Sequence, residues 1–233
     1  MKLDYVINTY PNFPEYKLVD LYPVEKIYYK RGNDFSNLFS EDFSMWQDFF
    51  CNQYEPPEGK DIVLFHCCSW SKPYDFSFIV NPIRKISGKY TEVHRVILSN
   101  VGVVPYEYQM NPTFCCYDCP PLIDTTNMGD SEIISLRKKI LEVNYQRIYK
   151  YLSSHINRYK MVITLSLPIK YGSSHLISLV CKELKIPYQN VISKELYSKY
   201  KNKIYEDCSE IYIEPEILQA LDDTLKNILS LRR

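Results

Sequence analysis

The stretch from Asp61 to Ser77, DIVLFHCCSWSKPYDFS, decides the fold class. Ile62, Val63, Leu64 and Phe65 form an unbroken apolar run of strand length, the pattern of a strand covered on both faces. His66, Cys67, Cys68, Lys72, Tyr74 and Ser77 follow it directly. In open α/β sheets ligands bind in the crevice beyond the carboxyl ends of the strands, so titratable side chains placed just after a buried strand make a reactive loop. The two cysteines can equally be small apolar side chains that pack at a strand end.

Upstream, residues 1–38 alternate short apolar runs with Pro11, Pro14, Pro23 and Gly32, which predicts brief strands such as 26–30 joined by turns. Phe39, Phe43, Trp46 and Phe50 then recur at the helical period after Ser40, a residue suited to an N-cap, so 40–54 reads as an amphipathic helix with a packing stripe. Pro56, Pro57 and Gly59 end it. Residues 1–58 therefore read as an annex of strands and a helix packed on the α/β domain of residues 59–233.

Downstream, 75–84 begins a helix that Pro82 should stop, and the basic segment 85–95 reads as a solvated loop. Val93 to Leu98 is a second strand-like run, with Gly102 and Pro105 placing a sharp turn at its carboxyl end, so that two polar turns can converge on one crevice. Residues 130–156 carry an apolar stripe through Ile133, Leu136, Ile140, Val143, Ile148 and Leu152. Met161 to Leu167 reads as a buried strand, and Ser173 can cap a helix running to Lys185. The loop between them, 169–175, offers backbone N–H groups to an anion, although capping alone explains its serines. Helix at 193–203, strand at 210–213 and helix at 216–231, with Pro215 in its first turn, complete the chain. The alternation predicts a three-layer α/β/α fold with a mainly parallel sheet.

Composition narrows the class. In 233 residues, 45% of them hydrophobic, there is material for a real core, and no repeat or low-complexity linker interrupts it. No basic-then-apolar leader and no apolar run of spanning length is present, so the expectation is a cytoplasmic protein without a membrane partner. Eight cysteines in such a chain are expected as reduced thiols, with the disulfides of hyperthermophile proteins the exception. Basic and acidic residues balance at 28 each. That argues against strong autonomous binding to a nucleic acid backbone, which draws its affinity from phosphate neutralisation.

One further cluster, Cys115, Cys116 and Cys119, has knuckle-like spacing, and Cys67, Cys68 and His66 could complete a four-ligand set. No second Cys-x-x-Cys occurs and prolines flank the turn, so the expectation is no metal and no other cofactor.

The run from Cys68 through Lys72, Pro73 and Tyr74 to Ser77 resembles the Cys, three residues, Lys-Pro-Tyr, two residues, Ser signature of the core catalytic domain of archaeosine synthase, a tRNA-guanine transglycosylase-related, DUF5591-like family of archaeal tRNA-modifying enzymes. A second block, Ser99, Gly102, Val103, Val104 and Pro105 followed by Glu107 and by Tyr117-Asp118, is similar to that family's downstream stretch. Two positions depart from the pattern: Cys67 stands where the family has Pro, and Val80 where it has His.

The resemblance implies addition of free lysine across the nitrile of preQ0 in tRNA, a transferase step of the amidinotransferase type in archaeosine formation. Such chemistry needs a nucleophile, a positive charge and proton carriers. On physical grounds Cys68 is the nucleophile, Lys72 the cation that activates it, and Tyr74, Ser77 and Asp118 the groups that donate hydrogen bonds or orient substrate. Ser99, Gly102, Pro105, Glu107 and Tyr117 are the expected substrate-binding residues. The alternative is a catalytically inactive nucleobase- or tRNA-binding subunit of a tRNA-modification complex, favoured by Val80 and Cys67 and by a length too short to add the RNA-binding domain that such synthases carry. Either way tRNA would be held with the help of a partner protein, a radical-SAM lyase or a transglycosylase. A third reading, a glycosylase-like enzyme acting on an extruded base, would need a water-activating carboxylate, Asp75 or Asp118.

Overall fold

A computed structural model describes residues 39–69, 72–99, 101–109, 111–115 and 128–231. The strands expected within 1–38 lie outside them, as do Cys116, Tyr117, Asp118 and Cys119.

Among the described residues five strands form one sheet: β1 (Ile62–Cys67), β2 (Val93–Ser99), β3 (Gly102–Pro105), β4 (Met161–Leu165) and β5 (Tyr188–Asn190), in the order β3-β2-β1-β4-β5. β1 pairs in parallel with β2 and β4, β4 in parallel with β5, and β3 runs antiparallel, as a hairpin against β2. The helices are α1 (Glu41–Asn52), α2 (Val80–Ser87), the single-turn α3 (Pro112–Cys115), α4 (Asp130–Ser154), α5 (Ser173–Leu184), α6 (Lys194–Tyr200) and α7 (Pro215–Ser230). They cover both faces of the sheet. Val63 and Phe65 join one core cluster with Trp46 and Phe50 of α1, Tyr151 and Leu152 of α4, and Ile177 and Val180 of α5. Their neighbours Ile62 and Leu64 join another, with Ile83 of α2 and Ile217, Leu221 and Leu225 of α7. Alternate side chains of one strand thus enter two apolar layers, which is why the β1 run shows no polar alternation.

The aromatic stripe of α1 is core. Trp46 is fully buried and packs edge-on or tilted against Phe49, Phe50, Tyr108 and Phe114, with ring centroids 5.5–5.8 Å away, a separation favoured by ring quadrupoles. Ser40 sits at the N-cap position of this helix but makes no side-chain cap bond.

Several local expectations change. Pro82 does not stop a helix: α2 starts at Val80, and Pro82 lies in its first turn, where the missing N–H has no partner to lose. The segment 85–95 is not a solvated loop throughout, because His94 and Arg95 belong to β2 and are buried. Gly102 to Pro105 is not a turn but the edge strand β3. Gly172, not Ser173, takes the N-cap position of α5. Residues 208–213 form a 3-10 helix, not a strand, because Asp207 accepts from Ser209 N at 2.7 Å while Glu210 Oε1 accepts from Asp207 N at 3.1 Å. This capping box offers the backbone a closer partner than a sheet edge. The short β5 had no pattern to announce it.

Among the described residues no helix is long and apolar enough to cross a membrane.

Candidate functional site

The chain leaves β1 in one direction, through α2 to β2, and leaves β4 in the other, through α5 to β5. β1 and β4 are neighbours, so the carboxyl ends of these two strands border the topological switch point where ligands settle in open α/β sheets. Cys67 and Cys68 sit at that end of β1. Ser166 and Leu167 follow β4, and the helix α5 begins a few residues on.

Cys68 is half-buried against the core cluster that α1 and α4 share, and its N–H donates to Leu98 O at 3.1 Å, extending the β1–β2 ladder by one bond. Cys67 faces the other layer, where burial, and then the neighbouring Cys68, Asp207 and Cys208, push its thiol well above the ordinary cysteine range. A thiol held neutral in this way is a poor nucleophile. Lys72 Nζ lies 5.8 Å from the ring centroid of Tyr74, a cation–π contact. Tyr74 itself is fully buried in the core. Ser77 is buried, and its Oγ accepts from Val80 N at 2.9 Å, which ties down the start of α2. Val80 is also fully buried there, so the position where the family pattern has His points into apolar packing in this chain.

Of the second block, Ser99 and Gly102 lie at the carboxyl end of β2 beside Cys68, whereas Pro105 and Glu107 lie toward its amino end. Ser99 pairs with Gly102 across the hairpin, and its Oγ accepts from Val101 N at 3.1 Å. Gly102 has φ +114, and a Cβ there would fall 2.7–2.8 Å from the side chains of Gln47 and Arg147, so only glycine fits. Gln47 of α1 donates to Val103 O at 2.9 Å and accepts from Val103 N at 3.0 Å, pairing with β3 as a further strand would, and Arg147 of α4 donates to Val101 O at 2.8 Å. The Ser-x-x-Gly-Val-Val-Pro stretch thus builds a clamped sheet edge, and an edge strand so covered offers no template for aggregation.

Pro105 ends β3 opposite Val96, which carries Glu107 back toward the amino end of β2. There Glu107 Oε2 accepts from Tyr54 OH at 3.3 Å and lies 3.2 Å from His94 Nε2, while His94 Nδ1 lies 2.5 Å from Tyr159 OH and Tyr159 OH 2.8 Å from Tyr151 OH. All five side chains are buried. His94 is level with Val63, five residues before Cys68, so this chain of polar groups lies about 16 Å along the strand from the thiol. Cys68 and Lys72 remain at the carboxyl end. Glu107 does not join them.

Sequence reading missed another assembly. Arg95 of β2 donates two parallel bonds to Asp75, at 2.5 and 2.8 Å, and its guanidinium carbon lies 4.8 Å from the ring centroid of Tyr106. Gln109 Oε1 accepts from Asp75 N at 2.8 Å. His66 lies on the same side of the sheet, fully buried, with Nδ1 2.9 Å from Cys67 O and Nε2 without a hydrogen-bond partner among the described residues. Burial, and then the charge of Arg95, hold its pKa at about 4. Asp75 is closed to water, so it does not present the carboxylate that a glycosylase-like reaction would need. The signal was in the sequence: an Arg inside an apolar strand run must find a partner or stay out of the core.

The loop before α5 adds exposed groups beside the switch point. Tyr171 has φ 64 and is mostly exposed, with Lys170 Nζ 5.0 Å from its ring centroid and the His175 ring edge-on at 5.9 Å. Among the described residues no group of three or more His, Cys, Asp or Glu could hold a metal.

A family model described as "Domain of unknown function (DUF5591)" matches residues 43–168, more than half of the chain. The chain belongs to the DUF5591 family. The DUF5591 segment runs from α1 through β4, so it contains the Cys68 loop, the β2–β3 hairpin and the buried Arg95–Asp75 pair. Among solved structures, this DUF5591 protein is similar to one described as "Crystal structure of AF0587, a protein of unknown function", with 14% identity and a TM-score of 0.49, over 78% of this chain and 49% of that one. The chain thus spans about half the length of that protein. No curated protein matches.

Proposed function

We propose that this DUF5591 protein acts in tRNA modification, with a modified nucleobase received in the crevice at the carboxyl ends of β1 and β4. The observation that carries this reading is that the run resembling archaeosine synthase, Cys68 to Ser77, forms the segment leaving the central strand at the topological switch point. Of the two forms of the reading, a nucleobase- or tRNA-binding subunit has more support than a lysine-adding enzyme. Tyr74 and Ser77, expected to donate hydrogen bonds or orient substrate, are buried and engaged in packing or a hydrogen bond, their expected companion Asp118 lies outside the described residues, and Val80 supplies no proton.

The enzymatic form rests on Cys68. A half-buried thiol at the switch point, with Lys72 in the same loop, is placed to attack a nitrile carbon, the nitrile nitrogen taking a proton, before lysine displaces the sulfur. Free lysine would then be a co-substrate. In both forms tRNA is shared with a partner protein, a radical-SAM lyase or a transglycosylase.

Two measurements test this. Nucleoside mass spectrometry of tRNA from a deletion strain is expected to show an altered modification, with the nitrile precursor accumulating if the chain is the enzyme. Unchanged tRNA would refute the reading in both forms. Peptide-resolved alkylation separates the forms. A binding subunit should show Cys68 labelling slowly and with the same pH profile in wild type and Lys72→Met, whereas a nucleophile activated by Lys72 should label faster than exposed Cys208 and lose about tenfold in rate in that variant.

A further inference from the structure

Among the described residues, the Phe, Tyr and Trp side chains that stand open to solvent are Phe76, Phe78 and Tyr171, at 37, 49 and 58% exposure, and the others are buried or half-buried. Phe76 and Phe78 lie on the arm that runs from the carboxyl end of β1 to α2, and Tyr171 on the arm from the carboxyl end of β4 to α5. Ile169 and Leu179, also exposed, enlarge the apolar surface of the second arm. β1 and β4 are neighbours, while α2 packs on one face of the sheet through Ile83 and α5 on the other through Ile177 and Val180. The two arms therefore part on either side of the switch-point crevice. Exposed apolar side chains scattered singly are ordinary, but these are gathered at one edge of the sheet.

The same arms are nearly free of acid. Of the 28 acidic residues in the chain, residues 62–91 and 161–182 contain one, Asp75, and it is buried and bonded to Arg95. Neither α2 nor α5, whose amino ends stand at this edge, has an acidic residue in its first turn. Asp207, close enough for its charge to act on Cys67, is occupied in its capping bonds from Ser209 N and Oγ at 2.7 and 2.6 Å. The arms thus bring no exposed carboxylate to the crevice. Lys170 Nζ lies over the Tyr171 ring, 5.0 Å from its centroid, and Tyr171 is held at φ 64, a conformation that bulky residues take rarely and mostly where function demands it. An open ring with an ammonium group beside it suits a planar base joined to a phosphate. An aromatic anchor for a protein partner would sit at the centre of one continuous patch, whereas these rings are divided between two arms.

We infer that Phe78 and Tyr171 stack against an unpaired nucleobase of RNA, with Lys170 beside the phosphate of the same nucleotide. The inference rests on the reading of the crevice as a nucleobase site, and it adds which residues hold the base and which form of RNA is accepted. Every base has a π face, so the rings select unpaired over paired nucleotides and tolerate any sequence. A base inside a duplex would first have to leave its stack, at a cost of a few kcal/mol. Affinity of this kind comes from the rings more than from phosphate neutralisation, which agrees with the balanced charge of the chain.

The test is a fluorescence titration of the full chain, at fixed salt, with a short single-stranded RNA carrying one 2-aminopurine, a base whose emission falls when it stacks, and with the same strand annealed to its complement. Wild type is expected to quench the emission and to bind the single strand about tenfold more tightly than the duplex. Phe78→Ala and Tyr171→Ala should each weaken binding about tenfold and restore emission, whereas Tyr171→Phe, which keeps the ring, should bind as wild type does. Thermal unfolding checks that each variant is folded. No binding by wild type, equal affinity for strand and duplex, or binding that either alanine variant leaves unchanged would overturn the inference; in the last case the ring serves another contact, such as a partner protein. The wider reading is judged separately. Altered tRNA in the deletion strain together with ring-independent RNA binding would refute the stacking assignment alone, and unchanged tRNA together with ring-dependent binding would refute the role in tRNA modification alone.

Discussion

Replacing Asp75 with Ala is expected to lower the free energy of unfolding by about 3–5 kcal/mol, the cost of breaking a buried ion pair from one side. Asp75 is 1% and Arg95 6% exposed, and the guanidinium reaches both carboxylate oxygens, so neither charge can turn to water when the other is removed. The pair also joins the segment after Cys68 to the middle of β2, which makes it the anchor of the loop. Converting both partners to apolar residues, Asp75→Leu with Arg95→Met, is expected to recover most of the loss, because desolvating the pair costs about as much as its attraction returns. Urea unfolding of the two single variants and the double variant measures this directly. A loss under about 1 kcal/mol in Asp75→Ala would mean that the charges are hydrated and the anchor is absent.

Acid should weaken the fold through His66. Its pKa is held at about 4, below the ordinary 6.5, by burial and by Arg95, with Asp75 and the Cys67 carbonyl opposing. Above pH 6.5 the imidazole is neutral in both folded and unfolded chains and contributes no pH dependence. Between 6.5 and 4 the unfolded chain takes up a proton that the folded chain refuses, so stability falls as pH falls, by about 3 kcal/mol across the window. His66→Leu removes this dependence. At neutral pH the variant should be as stable as wild type or more so, since Nε2 is buried without a hydrogen bond among the described residues. The wild type should lose stability relative to the variant on acidification. His155, whose pKa burial also lowers, is present in both proteins and cancels in the comparison. Parallel stability curves from pH 6.5 to 4 would refute a buried neutral His66.

The sequence by itself determined the α/β class, the parallel central strands and their following helices, because these depend on local periodicity. An apolar run such as 62–65 has one economical solution, a strand between two helical layers, and the stripes of α1 and α4 have one face to bury. It also located the Cys68 loop, since a polar cluster right after a buried strand must emerge at its carboxyl end. What only the tertiary structure decided were the pairings across the chain. Gly102 to Pro105 reads locally as a turn, yet it is an edge strand, with Gln47 and Arg147, distant in sequence, satisfying the backbone of Val103 and of Val101 just before it. Glu107 reads as part of one site with Cys68, yet the antiparallel return of β3 carries it to the other end of the sheet. The basic segment 85–95 reads as a solvated loop because charge suggests solvent, yet its last residues, His94 and Arg95, fall in the strand-like run 93–98 and are buried where Asp75 and Glu107 meet them from elsewhere in the chain. Periodicity records which face of an element is apolar. It does not record which distant side chain will satisfy a buried charge, because that partner is fixed only when the strands find their order in the sheet.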